Sequence, residues 1–447
     1  MAAALLWLLL AAGLRAGEPA PQVFSLGLAE AESRALLASD QVKAAAAEAR
    51  AAQEQAQAQF AGVLPRLSLE ASYGYLTNVP SLQLSPLMPA PIQFGTHENY
   101  SIGPRLTYTL WDTGSAWKAY RGFAQQAAAR GEDRRATERA LRQAVDSVYV
   151  RVQLALEELR LFADSLALAR AQNRDIETNF KAGAANRLDL LDSRREVLSY
   201  QLQFRQRRSD LSSALQDLVA LVGAAPGDLS RPGPPDFEDL TLALKLDPQE
   251  DSLASAEGWP LAPPDSGHPQ VRAQELQARA ADLAAQSQNA SLYPVVTATA
   301  KASEDYPNAI LPQTVQQNTF ALSLSWPLFE GGRARHLTDE RRREADAARR
   351  RAAQLLTDLR RDYDRAGTLA ADLRQRRELA AQDVAASQEA ARLYYQSYKA
   401  GRINLIDVQS ADLRALQSKV GAADIAAQLL QQLVTLRALS GGSDHGQ

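Results

Sequence analysis

Two stretches decide how this chain folds: Phe180-Lys181-Ala182-Gly183-Ala184-Ala185-Asn186-Arg187-Leu188-Asp189 and Tyr398-Lys399-Ala400-Gly401-Arg402-Ile403-Asn404-Leu405-Ile406-Asp407. Each has an aromatic residue, then Lys-Ala-Gly, then Asn and Asp three residues apart, and the second follows the first at an offset of 218. Glycine ends helices in the left-handed conformation, and Asn or Asp favours the turn that starts the next one. A break of this kind occurring twice marks a duplicated chain, and internal repetition governs the reading of everything around it.

Upstream of each break the copies stay in step. Leu110-Trp111-Asp112-Thr113-Gly114 matches Leu328-Phe329-Glu330-Gly331-Gly332 at the same offset of 218. Further upstream, Gln41-Val42-Lys43 matches Gln270-Val271-Arg272 and Pro65 matches Pro294 at an offset of 229. The first copy therefore holds 11 extra residues between Pro65 and Trp111, assigned to the proline-rich stretch Pro80 to Pro91. The repeats are placed at 23–223 and 268–442, joined by a linker at 224–267 rich in Pro, Gly and Asp, with a tail at 443–447.

Each repeat reads as helix, two strands, a very long helix, the break, and another helix. From Gly114 to Phe180 there is no proline, and at about 1.5 Å per residue a helix there would be roughly 100 Å long. Its apolar residues Leu141, Val145, Val148, Val152, Ala155, Leu159, Phe162, Leu166 and Ala169 alternate steps of four and three, as a left-handed coiled coil requires. The second repeat keeps this register through Leu359, Tyr363, Ala366, Ala370, Leu373, Ala380 and Val384, interrupted by Arg377. Flanking helices are expected at about Ser25 to Ala61 and Arg187 to Val222. Strands are expected at about 65–76, 99–111, 294–303 and 318–329 from period-two alternation. Leu67, Leu69, Ala71, Tyr73 and Tyr75 share one face against Arg66, Ser68, Glu70, Ser72 and Gly74; Phe320, Leu322 and Leu324 alternate with Ala321, Ser323 and Ser325.

Composition and the N-terminus agree with this outline. Among 447 residues aromatics make up only 6 %, and Ala and Leu interleave with Arg, Glu, Asp and Gln, the make-up of long helices. Ala2 to Leu14 is an apolar run followed by Ala16-Gly17 and Glu18-Pro19, so residues 1–16 are read as a secretory signal peptide. No later segment reaches the roughly 20 apolar residues of a membrane-spanning helix, so any membrane crossing has to be a β-barrel. Strands of about ten residues with aromatics near their ends suit that role, but four strands cannot close a barrel, so the chain has to oligomerise.

The most specific pieces are Leu64-Pro65-Arg66-Leu67-Ser68, Trp326-Pro327-Leu328-Phe329-Glu330-Gly331-Gly332-Arg333 and the paired Lys-Ala-Gly breaks. Together, in order and duplicated, they resemble the TolC family of outer-membrane factors over essentially the whole mature chain. The resemblance implies a mainly α protein with a membrane β-barrel portion: a homotrimer with a twelve-stranded barrel in outer-membrane lipid and a helical coiled-coil tunnel in the periplasm. It implies an exit duct of a tripartite efflux or type I secretion system, fed by an inner-membrane pump and its periplasmic adaptor. The breaks become the periplasmic tip, where Lys181, Gly183, Asn186, Lys399, Gly401 and Asn404 are candidate adaptor contacts. Asp407 is a candidate for a ring of three carboxylates that narrows the pore, with Asp189, Asp192 and Ser410 as further candidates. This sequence has Ser410 where some relatives carry a second carboxylate, which leaves the composition of the ring open. The plain alternative for the Asn residues is helix capping alone.

Other functions find little support. The clusters Arg341 to Arg343 and Arg349 to Arg351 interleave with Asp339, Glu340, Glu344 and Asp346 at helical ion-pair spacing, which reads as a solvated helix face and not a nucleic-acid surface. The four histidines are scattered and there is no cysteine, so no metal-ligand spacing or disulfide framework stands out. No phosphate loop, dinucleotide fingerprint or nucleophile elbow is present; no cofactor or catalytic residue is expected. The rival reading from another class is a periplasmic coiled-coil scaffold without transport activity.

Overall fold

A computed structural model describes residues 24–82, 92–93, 95–223, 244–245, 262–309 and 311–441. The expected signal segment, the tail and most of the linker, apart from 244–245 and 262–267, lie outside them. The helices are α1 (Leu28–Ala38), α2 (Asp40–Ala61), α3 (Ser115–Lys181), α4 (Arg187–Val222), α5 (Pro269–Ala290), α6 (Arg333–Lys399) and α7 (Leu405–Leu439). The long strands are β2 (Arg66–Tyr75), β5 (Glu98–Trp111), β7 (Val295–Tyr306) and β8 (Val315–Ser325). Short strands complete the order: β1 (Phe24–Ser25) runs parallel to β6 (Leu244–Lys245), and β3 (Ser81–Leu82) pairs with β4 (Ile92–Gln93) at the base of the extra proline-rich stretch.

The chain divides into two compact units. One draws on Asp40–Glu138 and Ala262–Asp362 and contains the antiparallel sheet, in the order β2-β5-β7-β8. Its register is what gives the sheet two chemically distinct faces. Leu67 pairs with Leu106, Ala71 with Ile102 and Tyr73 with Tyr100. Leu106 pairs with Ala300 and Tyr100 with Tyr306, and Ala300, Ala298 and Val296 pair with Phe320, Leu322 and Leu324. Because side chains alternate, all of these lie on one face, while Ser68, Glu70, Arg105, Thr107, Lys301, Thr319 and Ser323 lie on the other. On the apolar face Leu69 is 73 % exposed, Leu322 71 % and Phe320 84 %.

Central strand β5 contains Gly103-Pro104, and a proline cannot donate to a sheet ladder. The β5–β7 ladder skips both residues, passing from Ile102–Glu304 to Arg105–Lys301. A Cβ on Gly103 would stand 1.9 Å from the Ala302 carbonyl oxygen, so glycine is what lets β7 pass close at this point. Strand β8 stops at Ser325, just before Trp326-Pro327, where the missing N–H ends the pairing.

The other unit draws on residues up to Ser39, Arg139–Leu261 and Tyr363–Leu439. Here α3 packs its seam against α1 and α4: Val145, Val148, Tyr149, Val152, Leu156 and Leu159 join Leu26, Ala31, Ala35, Leu211, Leu218 and Val222 in one buried cluster. Further along, Phe162, Leu166 and Ala169 meet Tyr200 and Leu416. The second repeat builds a smaller counterpart from Ala366, Ala370, Leu373, Leu429, Leu433 and Leu436. The first helical stretch is not continuous as expected. It breaks at Ser39, whose extended backbone separates α1 from α2, and Ala38 there lies tight against Gly223, where a Cβ would come within 2.4 Å of it.

Candidate functional site

The two breaks are built alike. Gly183 and Gly401 have φ of 75° and 69°. Ala184 N–H reaches back to the Asn179 carbonyl at 2.7 Å, and Arg402 N–H to that of Ser397 at 3.0 Å, closing the ends of α3 and α6. Asn186 Oδ1 then accepts from Asp189 N–H at 2.7 Å, and Asn404 Oδ1 from Asp407 N–H at 2.9 Å, opening α4 and α7. Each Asn is thus an N-cap, and each Asp sits in the first turn, where the helix dipole favours a negative charge. Nothing lies within 4 Å of a Cβ placed on either glycine, so the constraint is backbone conformation alone. Gly183→Ala or Gly401→Ala should cost about 1 kcal/mol, seen as faster amide exchange in the last turn of α3 or α6. Equal exchange in variant and parent would mean the left-handed turn is not what ends the helix.

The repeats meet beside these breaks. Ile176 of α3, Leu190 of α4 and Leu405 of α7 form one buried cluster, with Ala185 and Tyr398 against it. A polar group spans the same region. Asp175 accepts from Tyr395 Oη at 2.7 Å and lies 3.5 Å from Lys399 Nζ, which sits 4.6 Å from the Tyr395 ring centre. The Tyr395 hydrogen bond holds the Asp175 carboxyl below its usual range, while burial and then the Asp175 bond push the Tyr395 hydroxyl up. Glu177 lies 3.4 Å from Lys181 and 3.8 Å from Arg194. Burial, followed by the charge of Asp189, raises Tyr398.

Of the residues singled out from sequence, Lys181, Gly183, Asn186, Lys399, Gly401, Asn404 and Ser410 are exposed, while Asp189, Asp192 and Asp407 are half-buried. Asp192 is 4.0 Å from Arg195. Asp175 and Tyr395, which nothing in the sequence singles out, join the two repeats next to the breaks, while Glu177 ties α3 to α4 within the first repeat. Elsewhere three of the clustered arginines are ion-paired, Arg341 to Glu344 at 2.8 Å, Arg342 to Asp339 at 3.4 Å and Arg349 to Asp346 at 2.8 Å. No helix among the described residues is long and apolar enough to cross a membrane.

A sheet with one apolar exposed face, carried on a duplicated chain of 67-residue helices, is the architecture of channel proteins that cross a bilayer with strands. The family model for outer membrane efflux proteins matches residues 32–224 and 266–442. The chain belongs to the outer membrane efflux protein family, whose members are channels of the outer membrane and not enzymes. Among solved structures it is similar to a membrane protein from Pseudomonas aeruginosa, with 22 % identity, TM-score 0.71, and 92 % of this chain and 93 % of that one covered. It is also similar to CusC, at 19 % identity and TM-score 0.75 with 96 % of each chain covered, and to VceC from Vibrio cholerae, at 17 % and 0.73 with 93 % and 96 % covered. At these identities the likeness is one of fold, and it agrees with the TolC-type resemblance read from the sequence. No curated protein matched the sequence.

Proposed function

We propose that the chain assembles as a homotrimer that closes a twelve-stranded barrel in the outer membrane and continues as a helical tunnel in the periplasm. In this reading it is a passive exit duct for substrates delivered by an inner-membrane pump through a periplasmic adaptor. The observation that carries the proposal is the four-stranded sheet, whose exposed face is apolar over most of its register and turns polar at Glu304, Gln316 and Asn318 beside the β7–β8 connection, while β2 and β8 are paired on one side only among the described residues. Unpaired edges in lipid leave backbone groups without partners, so further copies have to supply them. Leu188, Leu191, Leu198 and Leu202 of α4 support the same conclusion: they recur at coiled-coil spacing and all are exposed in the single chain. The tip formed by the two breaks is the adaptor contact, with Asp407 narrowing the pore together with Asp189 and Asp192. Single-particle imaging of the detergent-purified protein should show threefold particles with a detergent belt at one end and a stalk of roughly 100 Å. Soluble monomers without a belt would favour the coiled-coil scaffold. In planar bilayers Asp407→Ala should raise conductance and weaken cation preference, because a ring of like charges attracts cations. An unchanged preference would remove Asp407 from the constriction.

A further inference from the structure

Two turns beyond the caps, α3, α4 and α7 enclose a second polar group that the duct needs for neither its barrel nor its constriction. Glu196 of α4 and Asp412 of α7 belong to different repeats, and each lies one helical turn before a residue, Tyr200 and Leu416, of one shared buried cluster. Gln172 of α3 donates from Nε2 to Asp412 Oδ2 at 2.8 Å. The side-chain amide of Gln409 lies against Glu196 and favours its ionised form, although Gln409 Nε2 is buried without a hydrogen bond of normal geometry. The buried cluster of Phe162, Leu166, Tyr200 and Leu416 adjoins them. Of titratable neighbours, α4 supplies Arg195 and Tyr200, and α6 supplies Tyr395; α3 contributes the neutral Gln172. Arg195, on the same helix as Glu196, is the only cation among the described residues that bears on either carboxyl.

We propose that Glu196 and Asp412 form a proton-operated latch between α4 and α7: with one proton on the pair the helices stay together, and with both carboxyls ionised they separate. The physical reason is that two partly buried like charges repel in a medium that screens them weakly. Burial, followed by the charge of Asp412, pushes Glu196 up to about 7. Burial raises Asp412 also, against the Gln172 bond. The pair thus changes charge near neutral pH, a few helical turns from the breaks at Gly183 and Gly401 where α4 and α7 begin. Opening of the tip is the consequence for the duct, and that step rests on the function proposed above.

The chain contains no cysteine, so Ser199→Cys on α4 and Arg414→Cys on α7, both exposed positions, can be spin-labelled cleanly in the purified full-length protein. The distance distribution between them should shift to longer values between pH 6 and pH 8.5. It should stay at the pH 6 value when Glu196→Gln or, independently, Asp412→Asn is added. In planar bilayers the ratio of open to closed channel should rise with pH, by up to about tenfold per pH unit for each protomer whose latch has to lose a proton for opening, and only in the parent. A parent distance that does not respond to pH, or a response that persists in Glu196→Gln, overturns the latch. Spin-label response without conductance at any pH leaves the latch standing and overturns the channel reading.

Discussion

Leu322→Arg should lower the stability of the membrane-inserted protein by about 2–4 kcal/mol, the cost of a cationic side chain near the middle of a lipid-facing strand. Ser323→Arg, one residue along β8, should cost far less. Leu322 lies opposite Ala298 on the apolar face, whereas Ser323 pairs with Thr297 and donates to its carbonyl at 3.3 Å on the polar face. A sheet packed within a soluble domain predicts the same rank order but not the same fate. If the apolar face meets lipid, Leu322→Arg should deplete the outer-membrane fraction and the heat-modifiable oligomer, with urea titration of the folded remainder giving the energy difference. Equal recovery of the two variants from the outer membrane would mean that the exposed apolar face does not meet lipid.

What the sequence made legible follows from periodicity. The seam from Val145 to Ala169 is buried because steps of four and three keep residues on one helical stripe over many turns. The sheet faces could be read in the same way, since a period of two has a single solution once register is fixed. The helix breaks were legible because Gly and Asn are among the few residues whose backbone preference is strong enough to act locally. Less legible was the course of β5, where Pro104 in a central strand reads as a contradiction until the ladder is seen to skip it. The break at Ser39 carries no glycine or proline, and the close approach of Ala38 to Gly223 beside it is visible only in the fold.

The polar groups that join the repeats were not legible at all, for a different reason. Asp175 and Tyr395 are 220 residues apart, and Gln172 and Asp412 are 240 apart. Each residue taken singly looks like the solvated face of a helix rich in Asp, Glu and Arg. Only the tertiary pairing of the repeats turns an ordinary aspartate into a hydrogen-bond partner of the other repeat. One faint signal existed: Asp146 stands between seam residue Val145 and the inward-facing Val148 and Tyr149, a position at which a charge has little access to water.

That residue sets the last expectation. Asp146 is only 3 % exposed, and its Oδ1 is buried without a hydrogen bond. Its other oxygen lies 3.2 Å from Arg437 Nη1, which also meets Glu32 Oε1 at 2.8 Å; Arg142 stands 4.0 Å from Glu32. Burial, then the charge of Glu32, push the Asp146 carboxyl from 3.8 to about 7 against the pull of Arg437. A carboxyl raised on folding binds its proton more tightly in the native state, so stability falls as pH rises from the unfolded value near 4 through about 7 and levels off above it. Asp146→Asn, which cannot ionise, should therefore match the parent only below about pH 4, exceed it by about 1–2 kcal/mol at pH 5 and by a few kcal/mol at pH 8, since each tenfold gain in proton affinity on folding corresponds to about 1.4 kcal/mol. Arg437→Ala should act oppositely, leaving two carboxylates facing each other without their shared cation. It should cost about 3–5 kcal/mol at pH 8, the usual effect of removing one partner from a buried ion pair, and less at pH 5. Urea midpoints of the three proteins across that range decide the matter. A gap between parent and Asp146→Asn that is constant with pH would show that Asp146 is ionised throughout, held by Arg437.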